Sequence, residues 1–366
     1  MNRLRIGITG ASGFLGWHTR ARLHSAKVHE VVPLDRKTFA DDDYLRKTVG
    51  QCDAVLHFAG MNRGDDAQVR EVNEALARRL ADALDDAAPH VVFANSTHSY
   101  RDTAYGQSKR NAAATLARWA EKSGARFTNL IIPHIFGECG RPFYNSAVAT
   151  FCHRLARGES PDIIQDGELE LVHVQEVAQT AVREIEQGKG GDVRLAGYPI
   201  RVSGVLDRLT AMAQAYRQQI IPAFAESFDL DLFNTLRSHL YPQAYPVNLA
   251  TRTDPRGRLF EAVKTLHGGE CFISSTRPGI TRGNHYHLRK IERFLVLQGE
   301  AVIRIRRVLT EDATDFRVSG NHPAYIDMPT LHTHSIKNVG SEELVTLFWA
   351  HEIFDPQSPD TYPEAV

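Results

Sequence analysis

The sequence predicts an α/β fold with a doubly wound parallel sheet over its first two thirds, followed by an all-β module. Two observations carry this. From Leu4 to about Val247, short apolar runs alternate with longer amphipathic stretches, as in successive βαβ units. After about Asn248, period-2 segments take over, punctuated by Gly268-Gly269, Pro278-Gly279, Gly299 and Gly340. A chain of 366 residues suits two domains of ordinary size. They are expected at 1–245 and 246–366, joined within Leu240–Asn248, where Pro242 and Pro246 sit among aromatics.

The elements follow in order. Strands are expected at Arg5–Ile8, Val31–Leu34, Ala54–His57, Val91–Ala94 and Asn129–Ile132, and helices at Val69–Ala87 and Ser108–Lys122. In the last third, Arg293–Leu297 and Ala301–Arg307 alternate as strands.

Bulk properties exclude several classes. A net charge of −1 gives no field for steering nucleic acid or an anionic membrane. Cys52, Cys139, Cys152 and Cys271 form no CxxC pair, and the chain passes from Met1 into a strand-like segment without a signal peptide, so a cytosolic setting is expected. The apolar run Ala54–Gly60 is far shorter than the roughly 20 residues of a membrane span.

The first strand leads into Gly10, Gly13 and Gly16, spaced as in a dinucleotide-binding Rossmann turn with Phe14 and Leu15 opening the helix. The second strand ends in Asp35-Arg36-Lys37. An acidic group there holds a ribose 2′-hydroxyl and a basic one a 2′-phosphate. Both are present, which leaves NAD and NADP open, and the adjacent Arg36 and Lys37 favour NADP. Tyr105 and Lys109 are spaced i,i+4, one helix face, where the ammonium can lower the phenol pKa and make Tyr105 a proton donor to a nascent alkoxide. The strand Val91–Ala94 runs on into the hydroxyls of Ser96 and Thr97, which can hydrogen-bond the same oxygen.

These features resemble the extended short-chain dehydrogenase/reductases over residues 1–245, together with Leu56–Gly60, Asn73 and Leu171–Val177. The resemblance implies cofactor contacts at Ala59 and Gly60, Ser96 as catalytic hydroxyl with Thr97 its close competitor, and grip on cofactor and nucleotide-sugar near Pro133–Gly137 and Asn145-Ser146.

In the last third, His285 and His287 alternate on one strand, with Glu292 and His334 on neighbouring ones. Three imidazoles and a carboxylate suit Zn, Fe, Mn or Ni. The spacing, with Gly279, Gly299, Pro329 and Asn338, resembles the two motifs of the cupin superfamily, a jelly-roll barrel, over about 250–366. Leu331 stands where a glycine is usual, which puts the local turn in doubt. His332 shares strand parity with His334 and is expected to face the cavity, as an acid or base or as a hydrogen-bonder to a ligand.

The pairing of the two halves, with Asn145–His153, Arg282–His287, Phe294–Ala301 and Glu352–Pro356, resembles the CapF-like bifunctional capsular polysaccharide enzymes over essentially the whole chain. That resemblance implies NADPH, a metal such as Zn2+, a UDP-sugar substrate and production of UDP-2-acetamido-2,6-dideoxy-L-talose by C3 epimerisation and C4 reduction. A homodimer is expected. Two alternatives stay open: a single-activity reductase with a structural or oxygenase-type cupin, and a non-catalytic sugar-nucleotide binder.

Overall fold

A computed structural model describes residues 2–84 and 87–366. Met1 lies outside them, as do residues 85 and 86 near the end of the Val69–Ala87 helix expected from sequence. The chain forms two compact units, 1–136 with 167–201, and 137–166 with 202–366. Packing therefore divides the chain elsewhere than the 245/246 boundary read from sequence texture. The helices Val202–Arg217 and Ser227–Leu240 belong with the β-rich part, where the Tyr216 hydroxyl donates to Asp327, Arg237 to the Met328 carbonyl and Asn234 to the Arg289 carbonyl.

The first unit is built on β1 (Arg5–Thr9), α1 (Phe14–Ala26), β2 (Glu30–Leu34), α2 (Asp42–Val49), β3 (Ala54–His57), α3 (Asp66–Ala83), β4 (His90–Ser96), α4 (Ala104–Ser123) and β5 (Phe127–Ile132). These strands, with Gly191–Arg194, form a six-stranded parallel sheet in the order β2-β1-β3-β4-β5 and then Gly191–Arg194. It is Rossmann-like. β1, β3 and β4 are buried along nearly their whole length because a parallel sheet is covered on both faces. One cluster, with Leu80, Leu116 and Trp119, fills one face, and another, with Ile6, Leu130 and Val177, fills the other. β3 matches its expected span, and the other expected strands are longer than expected by one to three residues. α4 begins at Ala104, earlier than expected, because Thr103 caps it by accepting from the Gly106 N–H. A short strand, His134–Phe136, pairs in parallel with Glu168–His173.

The second unit contains two five-stranded antiparallel sheets. Glu292–Gln298, Ala324–Met328 and Leu344–Ala350 belong to one, and Thr281–Tyr286, Glu300–Arg307 and His332–Asn338 to the other. Alternate residues from both meet in one core containing Phe294, Ile303, Ile326, Ile336 and Phe348. Among the described residues no strand pairing joins the two sheets into a closed barrel. Among the described residues no helix is long and apolar enough to cross a membrane.

Candidate functional site

In the first unit the glycine turn is shaped by backbone contact. Gly10 adopts φ +64°, and a Cβ there would lie 2.9 Å from the Ala59 N. A Cβ on Gly16 would lie 2.2 Å from the Gly10 carbonyl, so only glycine lets α1 approach β1 this closely. Gly13 precedes α1 as its N-cap, and Phe14 and Leu15 open the helix, leaving its first N–H groups aimed outward. The Thr9 hydroxyl accepts from the Phe58 and Ala59 N–H groups, and Asn73 brackets Met61 through both its N–H and its carbonyl. These bonds hold Ala59 and Gly60 beside the turn. The cradle thus fits a dinucleotide. After β2 the Asp35 carboxylate accepts from the Lys37 and Thr38 N–H groups and is held below the usual carboxylate range chiefly by Thr38. Arg36 and Lys37 are exposed.

Tyr105 and Lys109 lie on α4, with the Lys109 Nζ 5.9 Å from the phenol ring centre. Lys109 is buried, donates to the Ala94 carbonyl at 2.8 Å and sits 4.7 Å from the Phe93 ring centre. Burial pushes its ammonium down to about 8. The expectation that Lys109 lowers the Tyr105 pKa is corrected here. Burial raises the phenol, and the opposing influence is a hydrogen bond with the Ser96 side chain. Ser96 ends β4, and its Oγ accepts from the His98 N–H at 3.2 Å, so the hydroxyl is anchored beside Tyr105. Thr97 begins the following 3-10 turn.

In the second unit, donor atoms of His285, His287, Glu292 and His334 lie within 4.8 Å of one another. The Nε2 atoms of His285, His287 and His334 stand 3.7, 3.0 and 3.4 Å from one oxygen of Glu292. Ligands about 2.1 Å from a tetrahedral ion are separated by about 3.4 Å, and the three distances to Glu292 bracket that value. His287 donates Nδ1–H to the Asp360 carbonyl and His334 to the His332 carbonyl, which turns each Nε2 lone pair inward. The Nε2 atoms of His287 and His334 are buried without an aligned hydrogen bond. Burial works to raise Glu292, but His287 and the other imidazoles outweigh it and hold the carboxylate ionised. The set fits a divalent transition-metal ion.

Leu331 resolves the doubt about its turn. It adopts φ +61°, the conformation a glycine takes readily, held by its N–H to the His287 carbonyl and its carbonyl from the Val308 N–H. His332 is buried, donates Nδ1–H to the Thr330 carbonyl and packs against Tyr241 with ring centres 4.9 Å apart. Burial pushes it down to about 4. It is not one of the four converging donors. Ser146 caps the helix Ala147–Ala156 by accepting from the Ala149 N–H.

Sequence reasoning missed Asp360, Glu138 and His98, and touched His134 only as part of Pro133–Gly137. The Asp360 carboxylate accepts from the N–H groups of Leu288, Arg289 and Lys290, clamping the segment after His287. Glu138 is buried and accepts from the Thr330 hydroxyl at 3.0 Å. His98 and His134 meet beside Tyr105. Asp360 and Glu138 carry no local motif, whereas His98 directly follows the hydroxyl pair.

The first unit is the scaffold of a pyridine-nucleotide enzyme, and residues 6–196 match the NAD dependent epimerase/dehydratase family. Residues 252–362 match the polysaccharide biosynthesis C-terminal domain. The chain is 30% identical to a UDP-2-acetamido-2,6-beta-L-arabino-hexul-4-ose reductase of Pseudomonas aeruginosa, covering 98% of each. It also resembles the crystal structure of the capsular polysaccharide assembling protein CapF from Staphylococcus aureus, at TM-score 0.62 and 31% identity over 99% of this chain and 100% of that one. A UDP-N-acetylglucosamine 4-epimerase from Methanobrevibacter ruminantium shares the fold, at TM-score 0.57 and 16% identity over 65% and 98%. This chain belongs to the CapF-like family of capsular polysaccharide assembly proteins.

Proposed function

We propose that this chain is a bifunctional nucleotide-sugar enzyme. It epimerises C3 of a UDP-4-keto-6-deoxy-N-acetylhexosamine and reduces the C4 ketone, giving UDP-2-acetamido-2,6-dideoxy-L-talose. The observation that carries this reading is the convergence of three imidazole Nε2 atoms on one Glu292 oxygen, in a chain that also sets Ser96, Tyr105 and Lys109 beside a dinucleotide cradle. In this reading residues 1–245 carry the reductase and 246–366 a cupin-type epimerase. The Pseudomonas relative, named as a 4-ulose reductase, supports the reduction.

When bound, NADPH supplies hydride and a divalent metal such as Zn2+ supplies Lewis acidity next to the ketone. His285, His287, Glu292 and His334 hold the metal. The ketone acidifies the C3 proton; His332, neutral, would take it from one face, and a solvent-derived proton would be delivered to the other, or the reverse. Gly10, Gly13, Gly16, Ala59 and Gly60 admit the dinucleotide close to backbone, with Arg36 and Lys37 near the adenosine ribose 2′ position. Tyr105 gives its proton to the developing C4 alkoxide while Ser96, with Thr97 beside it, hydrogen-bonds that oxygen. Lys109 places a positive charge by Tyr105 and Gly60. Reduction removes the ketone and so makes the inverted centre configurationally stable, which gives a chemical reason for the fusion.

The test is incubation with this ketone, NADPH and metal in heavy water. Deuterium at C3 of a C4-reduced product is expected. Reduced product without the label would remove the epimerase, and label without NADPH consumption would remove the reductase.

A further inference from the structure

Beside Tyr105 lie two histidines that the proposed chemistry does not use. His98 follows the Ser96-Thr97 pair in the 3-10 turn, and His134 begins the strand His134–Phe136. Their Nε2 atoms are 3.4 Å apart, and the His98 ring meets the Tyr105 ring edge-on with centres 6.1 Å apart. Two facing nitrogens at this distance share one proton, so one ring donates and the other accepts.

The surroundings decide which. The backbone carbonyl of Glu170 accepts from the His134 ring. A carbonyl only accepts, and Nε2 of His134 is committed to His98, so the donor is Nδ1–H. Nε2 of His134 is then the acceptor, and His98 carries its proton on Nε2. Nδ1 of His98 is left with a lone pair. The chain of bonds is anchored at its far end, because the Glu170 carboxylate is held by the Gly197 N–H and by Arg194. The charged groups facing the pair are Arg101 near both rings and the Glu170 carboxylate near His134. Burial, with Arg101 behind it, keeps both rings neutral at pH 7. A neutral, tautomer-locked imidazole is a hydrogen-bond acceptor, not a resident cation.

The geometry points to His98, oriented by His134, as a specificity-determining acceptor for a sugar hydroxyl on the carbon next to the carbonyl that Tyr105 protonates. This rests on the reductase reading above. In a 4-keto-6-deoxyhexose the carbons flanking the ketone are C3, which bears a hydroxyl, and C5, which bears a methyl group. The acceptor therefore reads the C3 hydroxyl. His98 is the residue that touches substrate, and His134 is a positioning residue.

The test compares kcat/KM for NADPH oxidation on UDP-4-keto-6-deoxy-N-acetylhexosamine and on its 3-deoxy counterpart. Wild type is expected to favour the hydroxylated ketone. His98→Phe keeps a ring against Tyr105 but has no acceptor, and should cut kcat/KM for the hydroxylated ketone about tenfold while changing the 3-deoxy ketone less than about twofold. NADPH affinity, read by fluorescence titration, should not move. A purely structural role would lower both substrates equally, and that result, or undiminished discrimination in His98→Phe, overturns the proposal. If His98→Phe does not fold, His134→Phe serves, with the same loss of discrimination expected. An independent readout is histidine 15N NMR of the full chain: His98 as the Nε2–H tautomer and His134 as Nδ1–H support the assignment, and the reverse pattern overturns it. Tyr105→Phe separates the two levels. If it still reduces both ketones, the reductase reading fails; if it abolishes both while His98→Phe discriminates like wild type, only the role of His98 fails.

Discussion

Nε2 of His287 lies 3.0 Å from Oε2 of Glu292, yet no hydrogen bond is aligned between them. A buried imidazole nitrogen and an ionised carboxylate that stand this close without such a bond are arranged for a third partner that both can ligate.

The chain should therefore bind one divalent transition-metal ion. His287→Ala or Glu292→Gln should lower the metal content measured by mass spectrometry to a small fraction of one per chain. Metal at a thousandfold its Kd should stabilise the folded protein by about 4 kcal/mol, seen as a rise in Tm. Unchanged metal content in both variants would contradict the site.

Asp360 holds the segment after His287 through three backbone N–H groups and accepts the Nδ1–H of His287 on its carbonyl. Asp360→Ala leaves buried donors without a partner. Denaturant unfolding should show a loss of about 3 kcal/mol, and metal affinity should fall about tenfold or more.

Lys109 makes stability depend on pH. Its pKa falls from 10.5 to about 8 on folding, because burial penalises the ammonium. Below about 8 the folded and unfolded states both carry the proton, and the penalty, about 3 kcal/mol, is present in full. Between about 8 and 10.5 the unfolded chain binds more protons, so this penalty fades as pH rises. Lys109→Met should stabilise the protein at pH 7 by about 2 kcal/mol, after loss of the bond to Ala94, and abolish ketone reduction. Its advantage should vanish by pH 10.5 in the same unfolding assay.

At Leu331 two effects oppose each other. Left-handed backbone costs a non-glycine residue roughly 1 to 2 kcal/mol, whereas a fully buried leucine contributes roughly 2 to 5. Leu331→Gly should be destabilising by about 2 kcal/mol, because lost burial outweighs relieved strain. A rise in Tm would reverse that ranking.

Much of the fold is legible in the sequence because its causes are local. Gly16 is required by the Gly10 carbonyl six positions away, and Gly10 by the left-handed turn that ends the first strand. The four converging donors are legible because strand parity is a local rule. It survives here despite a register shift between Gly283 and His285, where Asn284 takes φ +59°. Asp360 and Glu138 are not legible. Their partners lie 70 or more and 192 positions away, and a lone carboxylate in Ser-Pro-Asp or Gly-Glu-Cys has no pattern to mark it. The raised Tyr105 phenol also escapes sequence reasoning, since i,i+4 spacing fixes a shared face but not burial.

In the proposed function, hydride delivery and C3 inversion use separate groups of this one chain. The most direct measurement is C3 deuterium exchange from heavy water by Tyr105→Phe, followed alongside NADPH oxidation. Exchange at close to the wild-type rate, with oxidation reduced at least a hundredfold, is expected. Loss of both together would contradict the division of labour.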